Sequence, residues 1–486
     1  MIPFNSGHQN RYGPMTLLPA LLGLMLTLFA AARPGAAAPS RDDSAAPMSL
    51  EALLDEALAR SPLMAAAHQN VHVFEAKLRE AWWAWFPSSR MDFRLGVTPA
   101  KWGDPIEGGT DFNRWGVHWR FRVEGAMPLY TFGKISALRE AAREGVQVAE
   151  ATVDLARAEV ALLVRQSYYG WQLGRQMEDI VSDGRRYLDR ARERLIRLDE
   201  EDCPDFDQTD LLRLRVYEAD VETLFVQSRR IQQQALQGLA LLLGRAGRDG
   251  LPATPTPVAV EKRDLEQEGP PLDLLEDLVA RFAHDQPELR VAKHGARAQR
   301  ALAGARFADL FPDLVLAAHF SYAQSPVADE QSSPFAYDPW NSWFGGAGLA
   351  LRYELDLPRR LARSRGASAE AARTEALGDV QSAQVALEVT TAWLEAEQAR
   401  ELLPTYQRAH RAARAWVMAK SDLYDGGFAP LEEVTDALVE FFKRRLGYLQ
   451  AIHDHNMAMA RLSRALGTDL FKPEKTASAP TASRNL

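Results

Sequence analysis

The sequence predicts a mainly helical chain with transmembrane β-structure, built as two tandem copies of a long helical hairpin, each preceded by a pair of strands. Three observations predict it. From Val146 onward a 3-4 spacing selects Val146, Ala149, Val153, Ala156, Val160, Leu163, Ser167, Gly170, Gly174, Met177, Val181, Gly184, Leu188, Ala191, Leu195 and Leu198. This is the seam of a coiled coil, with no proline inside it. Two stretches alternate with period two, apolar against polar. Finally, the plan repeats: Ser61-Pro62 and Phe86-Pro87 return as Gln286-Pro287 and Phe311-Pro312 at a constant offset, and Leu243-Gly244 returns as Leu466-Gly467.

The first element is an amphipathic helix expected over Leu50 to Phe86, opened by Ser49 as cap with Glu51 in its first turn. Met91, Phe93, Leu95 and Val97 then alternate with Arg90, Asp92, Arg94 and Gly96. Trp115, Val117, Trp119, Phe121 and Val123 alternate with Gly116, His118, Arg120, Arg122 and Glu124. Charges on one side and bulky apolar groups on the other suit a sheet with one wet face and one face in lipid or core. A Gly/Pro/Asp-rich loop, Pro99 to Asn113, separates them. The long helix is expected from Gly133 to Asp202, roughly 100 Å at about 1.5 Å per residue. An acidic turn with Asp199, Glu200, Glu201, Asp202, Asp205 and Asp207 surrounds Cys203, and a return helix runs from about Gln208 to Gly244.

The second copy offers Leu314, Leu316, Ala318, Phe320 and Tyr322 as one strand and Gly345, Ala347, Leu349, Leu351, Tyr353 and Leu355 as the other. A second long helix is expected over Arg360 to Asp425, with a seam at Ala376, Val380, Ala383, Leu387, Thr390 and Leu394 and a kink at Pro404. A turn at Asp425-Gly426-Gly427 leads to the last helix.

Composition bounds the function. Of 486 residues, 47% are hydrophobic and 25% charged, as in ordinary folded chains. A net charge of -8 without a basic run argues against a nucleic-acid partner. Residues Thr16 to Ala32 form an apolar run behind Arg11, followed by Ala36-Ala37-Ala38, which reads as a signal peptide cleaved near Ala38; an uncleaved anchor is the alternative. A single cysteine, Cys203, allows no internal disulfide. No phosphate-binding glycine loop, CxxC, HExxH or serine-elbow motif is present, so neither an enzyme nor a bound cofactor is expected. His453-Asp454-His455 does not suit a metal, because residues two apart on a helix point nearly opposite ways. His118 and His319 lack companions.

Four strands cannot close a barrel by themselves, and an open edge in a bilayer leaves backbone groups unpaired at several kcal/mol each. The strands must therefore be shared among identical chains, giving a pore with a long helical extension. The alternative is a soluble periplasmic coiled-coil protein, structural or adaptor-like, whose strands form a small capping sheet.

The signal peptide, the duplication, the Phe-Pro helix ends, Pro128-Leu129-Tyr130, and the Tyr424-x-x-Gly427 turn leading to Glu433 and Asp436 together resemble the TolC-type outer-membrane efflux proteins. The resemblance covers about residues 48 to 470. It implies a homotrimer with a shared twelve-strand β-barrel in outer-membrane lipid and an α-barrel tunnel through the periplasm. Such a passive duct docks with a periplasmic adaptor and an inner-membrane transporter and exports small molecules, metals or proteins. The residues divide the chain into 1–38 signal peptide, 39–250 first repeat, 251–271 Pro-rich linker, 272–471 second repeat and 472–486 disordered tail.

Site residues follow from the same resemblance. Glu433 and Asp436, three apart on one helix face, would form stacked acidic rings at the tunnel mouth; a solvated helix face is the other reading. Thr209 and Asp210 fall where hydrogen-bond partners for the other hairpin are expected, and Tyr424 where a tyrosine constrains the closed state. The arginine expected two residues after the glycine is Ala429 here. Trp102, Trp115, Trp119, Trp340 and Trp343 are expected to form interfacial girdles.

Overall fold

The computed structural model describes residues 47–103, 107–201, 208–245, 258–269, 277, 286–331 and 337–471. The signal-peptide region, Cys203 with Asp202, Asp205 and Asp207, both ends of the linker and the tail lie outside them.

Ser49 caps α1 (Leu50–Arg60), its Oγ accepting from the Ala52 amide at 3.3 Å. The single helix expected over Leu50 to Phe86 is in fact two. Pro62 disfavours the helical conformation in the residue before it, so Ser61 turns extended, with ψ 133°. The Ser61 hydroxyl then caps α2 (Pro62–Trp82), and a 3-10 turn, Trp83–Trp85, ends it.

β1 (Ser88–Trp102) and β2 (Gly109–Tyr130) pair antiparallel. Both extend further than expected, so the anticipated loop from Pro99 to Asn113 shrinks to a short connection. A register shift between Pro99 and Ala100 absorbs the proline, which has no amide to give the ladder. Phe132, with φ 50°, and Gly133, with φ 87°, then turn the chain sharply into α3 (Lys134–Glu200), 67 residues and about 100 Å long. Every described residue of the expected seam is buried or half-buried. The return helix is α4 (Gln208–Leu242).

In the second copy α5 (Pro287–Ala308) leads to β3 (Asp313–Gln324) and β4 (Ser342–Arg352), completing one antiparallel sheet in the order β1-β2-β3-β4. β4 stops before Tyr353 and Leu355, because Asp356 and Pro358 already begin α6 (Leu357–Asp425), 69 residues that continue through Pro404. α7 (Leu431–Ala465) closes the repeat.

The seam expected on α6 is corrected by the structure. Ala376, Val380, Ala383, Leu387 and Leu394 are exposed; the chain buries Ala371, Val385, Val389, Ala392 and Ala396 instead. Apolar residues surround this alanine-rich helix, so spacing alone does not choose its inner face.

The two repeats meet themselves in the same way. α4 ends at Leu243-Gly244 against the start of α2, and a Cβ on Gly244 would lie 3.1 Å from the Arg60 carbonyl. α7 ends at Leu466-Gly467 against α5, where a Cβ on Gly467 would meet Pro287 at 2.8 Å. Both glycines have φ 67° and terminate their helices with backward hydrogen bonds, Arg245 to Ala240 and Thr468 to Ser463. Gln286 ties the second junction to the Ala465 carbonyl at 3.2 Å.

The main core sits at this level, where α1 and the segment 258–269 wrap the long helices. Leu53, Val160, Val164, Tyr169, Leu239 and Leu243 are all essentially inaccessible there. The wrapping segment is stitched down by polar groups. Tyr169 donates to Glu268 at 2.6 Å, and Asn456 accepts from the Glu268 amide at 2.9 Å while donating to the Glu266 carbonyl at 2.8 Å. Burial and the neighbouring carboxylate hold the Tyr169 hydroxyl far above its ordinary pKa, so it remains a donor.

Truncating the core here should be costly: Leu239→Ala is expected to lower stability by about 2–5 kcal/mol. Tyr169→Phe should cost about 1 kcal/mol. Denaturant unfolding followed by circular dichroism checks both, and a smaller loss for Leu239→Ala than for Tyr169→Phe would contradict this placement of the core.

Candidate functional site at the two ends of the chain

The sheet has two chemically distinct faces. Directly opposed residues share a face, and the register pairs Phe93 with Phe121, Leu95 with Trp119, Val97 with Val117, Phe121 with Tyr322 and Tyr322 with Trp343. One face is therefore continuously apolar across all four strands. It is also open: Met91 is 70% exposed, Val97 72%, Leu349 70% and Trp343 77%. The other face carries Arg90, Asp92, Arg94, His118, Arg120, Arg122 and Glu124. Among the described residues no helix is long and apolar enough to cross a membrane.

Aromatic rings gather at both ends of the apolar face. At the end far from the helices, Trp102 lies over Gly109, and Trp115 donates to the Phe112 carbonyl at 2.7 Å. Trp119 packs against Phe93 and Tyr322 within the face. Trp340 departs from its expected place. It sits on the polar face, edge-on to His118 at 4.8 Å and under the Lys101 ammonium at 4.7 Å.

The near end holds a cluster that spacing analysis missed. Trp83 and Trp85 stack at 6.3 Å with Phe86 edge-on to both, and Phe132 stacks on Phe311 at 5.0 Å. The Trp82-Trp83-x-Trp85-Phe86 run is the signal that marks it. Just below, Lys134 bridges Asp309 and Asp313, at 3.1 and 2.9 Å, and so ties the start of α3 to the start of β3.

At the opposite end of the helices the hairpins turn. Gly427 takes φ 75° and lets the Phe428 amide reach the Leu423 carbonyl at 2.8 Å, closing α6 before Pro430 begins α7. Asp436 is exposed and accepts from the Tyr217 hydroxyl of α4 at 3.4 Å. Burial, helped by that carboxylate, raises the Tyr217 pKa and keeps it a donor. Glu433 is not a bare charge, because Lys420 of α6 pairs with it. Tyr424 lies under the Arg194 guanidinium at 4.6 Å. Asp210 pairs with Arg213 in its own helix at 3.6 Å, and Thr209 stands exposed beside it in the first turn of α4.

The links between hairpins run through residues that the sequence left among ordinary surface charges. Arg213 bridges α4 to Glu432 of α7 at 2.8 Å, and Arg445 of α7 donates to Asp183 of α3 at 2.7 Å. Burial pushes the Asp183 carboxyl up, but hydrogen bonds from Arg445 and Arg186 outweigh it and hold the pKa below the usual carboxylate range. Between these links lies a cleft of about 480 Å³ walled by Val181, Leu188, Leu214, Val434, Leu438 and Phe442. The tips are therefore joined by polar contacts across a loosely filled apolar gap. Among the described residues no group of three or more His, Cys, Asp or Glu side chains is placed to hold a metal ion.

Comparison with known proteins agrees with this geometry. The profile of the outer membrane efflux protein family matches residues 53–197 and 278–468. A search of curated proteins returns no match. Among solved structures, the outer membrane protein VceC of Vibrio cholerae superposes with a TM-score of 0.67 at 18% identity, covering 87% of this chain and 96% of that one. The open state of the MtrE outer membrane channel of Neisseria gonorrhoeae gives 0.65 at 19% identity, over 87% and 89%. CusC, described for the conformational changes of transmembrane channel formation, gives 0.66 at 19% identity, over 86% and 93%. With both of its repeats matched and its sheet, hairpins and turns in the order these channels show, the chain belongs to the outer membrane efflux protein family.

Proposed function

We propose that three copies of this chain form one passive exit duct, with a twelve-strand barrel in outer-membrane lipid and a helical tunnel reaching into the periplasm. One observation carries the reading: a four-stranded sheet with an open apolar face and two open edges is continuous with rods of about 100 Å. Pairing β1 of one copy with β4 of the next would satisfy both edges. Trp102, Trp115, Trp119 and Trp343 would then serve the outer aromatic girdle, and the Trp83–Phe86 cluster the inner one. Leu377, Val380, Leu387 and Leu394, all exposed on α6, supply an apolar stripe for a neighbouring copy.

In this reading the hairpin tips are the periplasmic mouth. A periplasmic adaptor and an inner-membrane transporter would dock there and pass on small molecules, metals or proteins. Asp436 and Glu433 would line the mouth as acidic rings, with Thr209, Asp210 and Tyr424 at the contacts that hold it shut. The latches suit a mouth that must open. A partly exposed pair such as Asp183–Arg445 contributes about 0.2–1 kcal/mol, which partner binding easily offsets. Ala429 supplies no cation beside the turn, and Arg194, Arg213 and Arg445 are cations that reach across between the hairpins.

The assembly is tested by membrane fractionation and gels of unheated and heated protein. A heat-modifiable trimer in the outer membrane is expected, and Leu387→Asp should shift it to monomer. A soluble periplasmic monomer in the unsubstituted protein would leave only the coiled-coil alternative. In planar bilayers Asp436→Ala should lower cation preference more than Glu433→Ala, because Lys420 already offsets Glu433, and Lys420→Ala should raise it. Equal currents and reversal potentials in all three would remove the acidic rings.

The pH response follows from Asp183. Its pKa is depressed in the folded state, so the link to Arg445 is present at neutral pH and is lost as pH falls through that lowered value, below about pH 4. Spin labels on α3 and α7 near the tips, in a Cys203→Ser background, should report one narrow distance from about pH 8 to 5 and a broader one below about pH 4. Asp183→Asn should be broad throughout. A narrow distance in Asp183→Asn at neutral pH would show that this link does not hold the hairpins.

A further inference from the structure

Three helices leave a long gap between the two hairpins, close to their turns. α3 lines one wall with Val181 and Leu188, α4 another with Leu214 and Leu224, and α7 the third with Leu438 and Phe442. The lining runs along α3 from Ile180 to Arg194, about 21 Å at about 1.5 Å per residue. Its volume of about 480 Å³ is that of an ordinary small-molecule site.

The gap is held open. At Gly184 the backbone of α3 comes close to α4, an added Cβ lying 3.3 Å from Val221 Cγ2. α7 is instead fixed by polar struts at the two ends, Arg445 to Asp183 at 2.7 Å and Arg213 to Glu432 at 2.8 Å. Hydroxyls along α4 and α7 are engaged already. Thr223 and Thr435 donate to carbonyls of their own helices, Ala219 at 2.8 Å and Leu431 at 3.0 Å, and Tyr217 donates to Asp436. A water molecule in the gap would find few partners, and apolar space of this kind takes hydrocarbon instead.

The rim is basic, with Arg190, Arg194 and Lys443 against Asp220. Acids alongside are already paired: Glu222 with Arg185, Glu218 with Arg192 and Asp183 with Arg186. No described carboxylate pairs with Arg190 or Arg194, which stand one turn apart on the same side of α3. Arg190 commits its Nε to the Arg186 carbonyl at 3.1 Å. Each guanidinium lies over an aromatic ring, Arg190 over Tyr187 and Arg194 over Tyr424, both at 4.6 Å. A ring on the flat face leaves the edge N–H groups available to a planar anion.

We propose that the gap binds one long-chain carboxylate, its alkyl chain lying along α3 and its head at Arg190 and Arg194. A carboxylate is planar and singly charged, so it matches the edges of two guanidinium groups, and each methylene drawn from water into the gap adds to affinity. Touching α3, α4 and α7 together, the ligand braces the two hairpins in this arrangement. The site lies within a single chain and does not depend on the duct reading.

The test is photolabelling of the full chain in lipid nanodiscs with a palmitic acid carrying a diazirine on its alkyl chain, the adducts being located by mass spectrometry. Adducts are expected on residues 180–194, 214–227 and 431–446, suppressed by excess palmitate but not by hexadecanol, which has the chain without the charge. Arg190→Gln with Arg194→Gln should lower labelling of these segments about tenfold. Leu438→Trp, which fills the gap, should lower it as far with both arginines in place; should that variant fail to fold, the arginine pair, exposed on α3, decides alone. Labelling confined to the apolar face of the strands would overturn the proposal. So would labelling of the gap that hexadecanol suppresses equally or that survives the arginine substitutions. None of these outcomes involves conductance, so a failure of the duct reading shows separately in planar bilayers.

Discussion

Backbone hydrogen bonding at the two open edges of the sheet constrains everything else in this chain. β1 and β4 each present a row of amides and carbonyls that no described residue of the same chain pairs along its length. In water such edges would be a liability, and in hydrocarbon each unpaired group costs several kcal/mol. The apolar face between them is as open as the edges, so burying one requires closing the other. A closed ring of copies meets both demands at once.

Stability is distributed to match. Rods one helix thick cannot bury much along most of their length, so the chain concentrates its core where α1 and the 258–269 segment thicken the wall around Tyr169 and Leu239. Away from that belt, contacts are single seams and partly exposed ion pairs. The tips lie outside the belt and are joined across the hairpins by partly exposed ion pairs such as Asp183–Arg445 and Arg213–Glu432.

Much of the plan was legible in the residues. Pro62 and Pro287, Gly244 and Gly467, and the alternation around Phe93 and Trp119 mark local conformations, and local conformation is what spacing reports. What stayed hidden depends on which helix arrives alongside which. The buried face of α6 is chosen by α5 and α7, not by its own alanine-rich sequence, so a seam through Leu387 and one through Val389 read alike. Trp340 looks like any strand-end tryptophan until the fold of its connection turns it toward His118. Asp183 and Arg445, separated by 262 residues, resemble ordinary solvated charges until the two hairpins meet. Of the site residues, Asp436 and Tyr424 do reach across between hairpins, whereas Asp210 turns back to Arg213 and leaves the crossing to it.

The abutting helix ends at Gly244–Arg60 and Gly467–Pro287 carry a mechanical implication. Each chain contributes two unbroken helices, α3 and α6, and two jointed ones, in which a short upper piece meets the lower end to end and is held by side-chain bonds such as Gln286 to the Ala465 carbonyl. A lower piece can tilt at its joint without bending an α-helix or straining a strand. In the proposed duct the tunnel wall would thus have built-in knees at its girth, and leverage applied at the free end would be spent there before it reached the ring of strands.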